Sequence, residues 1–206
     1  MPASPANRPG VKPPRAGKVS RKTRETDVEL ALRLEPGPAA IDTGVPFFDH
    51  MLEQLSKHGG MALTVKAKGD LHVDAHHTVE DVGIGLGEAL RQALADKTGL
   101  ARYGHAVVPL DEALVEAVVD LSGRPHLTFH ADLPSGKKFI GAYDVDLTRD
   151  FFQALANHAH ACIHVNVRYG RNLHHIVEAI FKATARALRA ATAVEGGGLP
   201  STKGLL

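Results

Sequence analysis

Two copies of one short pattern, His-His-x-x-Glu, carry most of the chemistry in this chain: His76-His77-Thr78-Val79-Glu80 and His174-His175-Ile176-Val177-Glu178. On a helix, residues i and i+4 share a face, so His76 with Glu80 can hold one metal ion and His174 with Glu178 another. Adjacent residues diverge by about 100° around the axis, so His77 and His175 must face a different site from their neighbours. Each motif then serves two ions, which is self-consistent if the motifs meet across a symmetric interface, within a chain or between chains. Imidazole and carboxylate together suit a borderline divalent ion such as Mn²⁺, Fe²⁺, Co²⁺ or Zn²⁺. No Cys lies near, which argues against a structural thiolate zinc, and the order differs from the His-Glu-x-x-His of zinc proteases. One copy alone would as readily be a polar helix start; two copies at matching positions favour metal.

The elements that position these motifs follow from apolar spacing. Val28, Leu30, Leu32 and Leu34 alternate with polar or small residues as a half-buried strand, and Pro36-Gly37-Pro38 turns the chain toward a second strand at residues 39–43. Pro46 opens a helix carrying Phe48, Met51, Leu52 and Leu55, stopped at Gly59-Gly60. Leu63, Val65 and Ala67 alternate again, with Leu71 and Val73 expected to form the partner strand. Val79, Val82, Leu86 and Leu90 then repeat at helical spacing. Gly83, Gly85 and Gly87 each weaken that helix by up to about 1 kcal/mol relative to Ala, which implies close packing against another backbone.

The second half repeats the first. Asp150 through His158 sits over His50 through His58 at an offset of 100, and His174 through Glu178 over His76 through Glu80 at an offset of 98. Such a period is too long for a solenoid unit and implies a duplicated strand–strand–helix–strand–strand–helix half. The expected fold is α+β, with two mixed four-stranded sheets and helices packed on one face of each. The expected boundaries are a disordered basic, Pro-rich tail over residues 1–22, a first repeat over 23–104 and a second over 105–206.

Composition excludes several classes. Of 206 residues 44% are apolar and 23% charged, with a net charge of +1, so neither nucleic acid nor membrane is an expected partner. No apolar run is long enough to span a bilayer. The single Cys162 cannot form an internal disulfide, which fits a reducing compartment, and a cytoplasmic enzyme is expected.

Several longer motifs resemble the imidazoleglycerol-phosphate dehydratase family: Asp42-Thr-Gly-Val-Pro-Phe-Phe-Asp-His50, Ala75 to Asp81, Asp120-Leu-Ser-Gly-Arg124-Pro, Gly170 to Ala179, and Pro200-Ser-Thr-Lys203-Gly. The resemblance runs from about Thr23 to the C-terminus. It implies halves like the second domain of ribosomal protein S5, trimers assembled into a large cage, and two Mn²⁺ per active site at subunit boundaries. It assigns His50, His77, His174 and Glu178 to one ion, and His76, Glu80, His175 and position 150 to the other. The family usually has His at position 150. Asp150 stands here, also a competent ligand, or else a cap for a helix starting at Phe151.

The implied reaction is the dehydration of D-erythro-imidazole glycerol phosphate to imidazole acetol phosphate in histidine biosynthesis, with the substrate's imidazolate held between two ions. Glu25 matches the family's substrate-contacting glutamate and is the candidate acid/base, although alone it reads as a surface strand residue. His58 matches a position lining the substrate pocket, and His50 and His58 are weaker proton-transfer candidates. Arg102, Arg124, Lys182, Ser201, Thr202 and Lys203 match family positions that contact substrate, and the phosphate needs fixed charge and donors of that kind. Without the resemblance, a dinuclear metal hydrolase and a non-catalytic, metal-stapled assembly protein both remain open.

Overall fold

Alternating burial builds the first sheet of the protein, a computed structural model that describes residues 15–134, 138–204 and 206. Strand β2 (Thr26–Arg33) turns Val28, Leu30 and Leu32 inward and its charged residues outward. It pairs antiparallel with β1 (Ala16–Lys22) on one side and β4 (Ala62–Gly69) on the other. Strand β3 (Ala39–Asp42) lies parallel to β4 at the far edge, giving the order β1-β2-β4-β3. Between β3 and β4 runs α1 (Pro46–Gly59), with Pro46 in its first turn and Gly60 at φ 63° closing it.

Strand β1 corrects the expected tail: residues 16–22 are ordered, and residues 1–14 lie outside the described part. The segment buries only Gly17 and Val19, so its apolar signal is weak. Gly17 secures it, because a Cβ there would fall 2.0 Å from the Ala89 carbonyl of the overlying helix. Arg21 adds an ion pair to Asp81 at 3.0 Å, and the Thr26 hydroxyl donates to the same carboxylate. The expected partner strand at Leu71 and Val73 is instead an exposed turn. Strand β4 is already flanked by β2 and β3, so no ladder position remains for it. Each half is therefore strand–strand–strand–helix–strand–helix.

The chain crosses the first sheet with α2 (His76–Leu94) and repeats the plan through β5 (Tyr103–Leu110), β6 (Ala113–Asp120), β7 (His126–His130), α3 (Leu147–Ala159), β10 (Cys162–Tyr169) and α4 (Leu173–Ala191). The second sheet has the order β5-β6-β10-β7, position for position that of the first, again with its last strand parallel. Its first strand opens at Tyr103, two residues before the expected boundary. Only the second half carries an extra hairpin, β8 (Phe139–Ile140) with β9 (Tyr143–Asp144).

Helix α2 packs on β1 and β2, and α4 on β5 and β6, while α2 pairs with α3 and α1 with α4. Helices of one half thus pack on helices of the other, and the two repeats share a core. Phe48, Phe151, Phe152 and Phe181 meet there at ring separations of 5.0–5.3 Å. The tight packing expected of the α2 glycines holds at Gly83 and Gly87, which face α3 backbone, but not at Gly85, whose nearest neighbour would be 3.8 Å away. Among the described residues no helix is long and apolar enough to cross a membrane.

Candidate active site

Pairing α1 with α4 brings His50 from one repeat to the His-His-x-x-Glu motif of the other. His174 Nε2 lies 3.0 Å and His50 Nε2 3.5 Å from Glu178 Oε2. One donor atom from each residue lies within 4.8 Å of the others. A single ion with bonds of about 2.1–2.2 Å needs donors up to roughly 4.4 Å apart, so small rotamer changes admit one. Asn172 caps α4 and accepts from the His174 N–H at 2.9 Å, fixing the start of the motif. Burial pushes the Glu178 carboxyl up, but Lys182, donating at 2.6 Å, and the neighbouring histidines outweigh it and hold the group ionised.

The repeat-related cluster forms where α2 meets α3. His76 Nδ1 lies 3.6 Å from Asp150 Oδ2. Glu80 is exposed and makes no ion pair with the described residues. Asp150 does not cap its helix, because α3 begins at Leu147 and Asp150 sits in the first turn. His158, two turns on, bonds to the Ala154 carbonyl at 3.0 Å and is not a replacement ligand. The cleft of about 470 Å³ at His76 and Asp150, and one of about 680 Å³ at His174 and His175, share the exposed Phe139 of the extra hairpin.

The second histidine of each motif turns elsewhere, as helical geometry requires. His77 Nδ1 bonds to Asp70 at 3.0 Å, leaving Nε2 4.0 Å from Glu25, which sits in the β1–β2 turn and not in a strand. His175 Nδ1 bonds to Glu112 at 2.7 Å, with Nε2 3.8 Å from Asp111. A carboxylate on Nδ1 fixes the tautomer and leaves Nε2 free for a ligand. The same bonds raise both histidine pKa values and lower those of the carboxylates, Glu112 to about 2. Sequence reading missed Asp70, Asp111 and Glu112. The available signal was their place at turns, Asp-Glu between two alternating strands above all.

Most of the phosphate candidates meet far from these clusters. Arg102, Arg124, Ser201, Thr202 and Lys203, with Ser122, Gly123 and Leu206, line a cavity of about 420 Å³. Arg102 is held by Asp120 at 2.7 Å and by the Pro200 carbonyl at 2.8 Å. Lys182 lies apart from them, on Glu178. His58, at the end of α1, has its pKa lowered by burial and by Lys182 and Arg186, which keeps it neutral near pH 7. The Arg102 N–H bonds to the carbonyl of Ala191, the last residue of α4, whereas His174 is near its first. At 1.5 Å per residue the basic pocket and the metal-type cluster are roughly 25 Å apart within one chain.

A duplicated α+β frame bearing a His–Glu cluster of metal-ligating type, with a basic pocket elsewhere, has the layout of a metal-dependent enzyme. The family model for imidazoleglycerol-phosphate dehydratase matches residues 43–188. The dehydratase of Anaeromyxobacter dehalogenans strain 2CP-1 is 80% identical over 98% of this chain and 100% of the relative. That of Bordetella petrii is 54% identical over 93% of this chain and 100% of the relative. The crystal structure of the Staphylococcus aureus N315 enzyme superposes with a TM-score of 0.79 at 37% identity, covering 87% of this chain and 99% of that one. IGPD from Pyrococcus furiosus, in complex with (S)-C348, gives 0.80 at 38% identity, covering 91% and 100%. The chain belongs to the imidazoleglycerol-phosphate dehydratase family, metal-dependent hydro-lyases of histidine biosynthesis. Membership sets aside both the dinuclear hydrolase and the non-catalytic staple.

Proposed function

We propose that this chain dehydrates imidazole glycerol phosphate to imidazole acetol phosphate, in the cytoplasm, with two Mn²⁺ per active site and with each site shared between copies of the chain. The observation that carries the reading is the His50–His174–Glu178 cluster together with its repeat-related counterpart at His76, Glu80 and Asp150. When bound, the ions supply Lewis-acid polarisation of the substrate's imidazole ring, which eases loss of the hydroxyl from an otherwise unactivated carbon.

The chain's own residues bind, orient and move protons. His50, His174 and Glu178 hold one ion, completed by His77; His76, Glu80 and Asp150 hold the other, completed by His175. Neither His77 nor His175 turns toward those clusters in its own chain, so the completing histidines come from neighbouring copies. Separation of the basic pocket from the clusters supports the same assembly, since a five-membered ring on a three-carbon chain cannot bridge roughly 25 Å. Trimers building a larger cage satisfy that need. Arg102, Arg124, Ser201, Thr202 and Lys203 fix the phosphate, Arg102 with its orientation already set by Asp120. Lys182 keeps Glu178 ionised and faces the substrate from the metal side. Glu25, beside His77, takes the proton leaving carbon, and neutral His58 or His50 assists transfer to the departing hydroxyl.

Chelator-stripped protein titrated with Mn²⁺ and assayed on imidazole glycerol phosphate tests the reading. Turnover returning as two ions bind per subunit is the expected result. Assembled protein that binds Mn²⁺ but never turns the substrate over would overturn it.

A further inference from the structure

Behind the basic pocket is a buried cation that the proposed reaction does not use. Lys97, in the loop from α2 to β5, is 7% exposed, and its ammonium donates to the Leu121 carbonyl at 3.2 Å. Burial pushes its pKa down, opposed by Asp120. Lysine is rarely buried without a carboxylate partner, because its ammonium is strongly hydrated. Here Asp120 is already engaged by Arg102 at 2.7 and 3.3 Å, so the direct partner of Lys97 is a neutral carbonyl.

The backbone around it is strained. Ala95, Lys97 and Arg102 have φ of 48°, 61° and 69°, three side-chain-bearing residues at positive φ within one short loop. Such conformations persist only where surrounding contacts impose them. Leu121 contributes to that constraint at both of its polar groups, beside the bonds of Ala101 and Arg102 to the carbonyls of Ala193 and Ala191. Its N–H donates to the Arg102 carbonyl at 3.0 Å, and its carbonyl accepts from Lys97. Ser122, Gly123 and Arg124 follow directly and line the same pocket as Arg102.

We propose that Lys97 is a positioning residue of the phosphate pocket. Its ammonium clamps Leu121, and through Leu121 it fixes both the strained loop that aims Arg102 and the wall that ends in Arg124. It sets the affinity for the phosphate group and leaves the rate of bond breaking alone. The inference rests on the dehydratase reading only in taking the ligand to be a phosphate.

Lys97→Met in the full-length, Mn²⁺-loaded protein tests it by two independent readouts: KM and kcat for imidazole glycerol phosphate, and thermal protection by inorganic phosphate. A charge-assisted hydrogen bond lost behind the pocket should raise KM and the phosphate dissociation constant together by about tenfold or more, with kcat within about threefold. Lys97→Arg, which keeps the cation, should recover most of both. A variant with a lower Tm but unchanged KM and phosphate protection would reduce Lys97 to a merely structural residue and overturn the proposal. If Lys97→Met does not accumulate as folded protein, Lys97→Gln, which lacks the charge but keeps a donor, carries the same expectations. Wild-type protein that is protected by phosphate yet never turns over would sink the dehydratase reading, and the phosphate readout would still judge Lys97.

Discussion

At one repeat-related cluster, His50 and His174 both direct Nε2 at Glu178, which is buried and held by Lys182 at 2.6 Å. At the other, Asp150 replaces the first histidine, His76 lies 3.6 Å from it, and Glu80 is exposed without an ion pair among the described residues. The residue at the repeat position of Lys182 is Ile84, so among the described residues nothing anchors Glu80 as Lys182 anchors Glu178. Ligands already held in one rotamer lose less conformational entropy on binding an ion than ligands that must be ordered. The two repeat-related clusters thus differ in readiness, and the first should take an ion more tightly.

The largest effects follow from breaking the prepared centre. Glu178→Gln removes a ligand and leaves the nearly buried Lys182 without its carboxylate, so kcat should fall by at least about 100-fold and Tm with it. Asp150→Ala should weaken only the looser ion, by about 10- to 100-fold, with turnover largely restored by excess Mn²⁺. Asp150→His should move the other way and bring the two affinities closer. Calorimetric titration of Mn²⁺ into each stripped variant resolves the two ions. Equal losses from Glu178→Gln and Asp150→Ala would mean that the centres do not differ as described.

What the sequence disclosed tracks how local the determinants are. His76 with Glu80 and His174 with Glu178 are legible because both partners sit on one helix, and the offsets of 98 and 100 reveal the duplicated halves. The joining of His50 to His174 was implied only by resemblance, since it depends on α1 packing on a helix of the other repeat. Strand β1 was hidden because its inward positions are Gly17, Val19 and Arg21, of which one is apolar. Asp70 and Glu112, which orient the outward histidines, lie 7 and 63 residues from them. Contacts made through turns have no periodicity to read.

Glu112 makes a pH-dependent prediction of intermediate size. Its carboxyl is held at about 2, against an ordinary 4.5, first by the hydrogen bond with His175 and then by backbone N–H groups, and the His175 pKa is raised in return. In metal-free protein the depressed carboxyl contributes stability that is present above about pH 4.5 and lost as pH falls toward 2. The raised imidazole contributes stability present below pH 6.5 and lost as pH rises through its higher value. An ion needs Nε2 without its proton, so apparent Mn²⁺ affinity at the looser centre should climb as pH passes upward through the raised His175 value, above the ordinary 6.5. Glu112→Gln should move that climb to lower pH and weaken binding on the plateau by about tenfold, because the ring loses its orienting partner. Titrations between about pH 6 and about pH 8.5 would show it. A climb that stays in place would deny the carboxylate its hold on His175.

The smallest effect separates the centres through packing alone. Helix α2 approaches α3 at Gly83 and Gly87, where an added Cβ would lie 2.8 Å from the carbonyl of Phe151 and 2.8 Å from that of Leu155. At the repeat positions α4 carries Phe181 and Ala185, so the α1–α4 pair does not depend on glycine. Gly83→Ala gains helix propensity but must push α3 away, a net cost of about 1–3 kcal/mol. Because Asp150 sits one residue before Phe151, the displacement should also loosen the ion at His76 and Asp150 while leaving that at Glu178 unchanged. Gly85→Ala meets nothing nearer than 3.8 Å and should stabilise by up to about 1 kcal/mol without moving either affinity. Thermal melts with paired Mn²⁺ titrations distinguish the two variants. If Gly83→Ala weakened both ions alike, the two helix pairs would be mechanically coupled, and the difference between the centres would have to lie in their ligands alone.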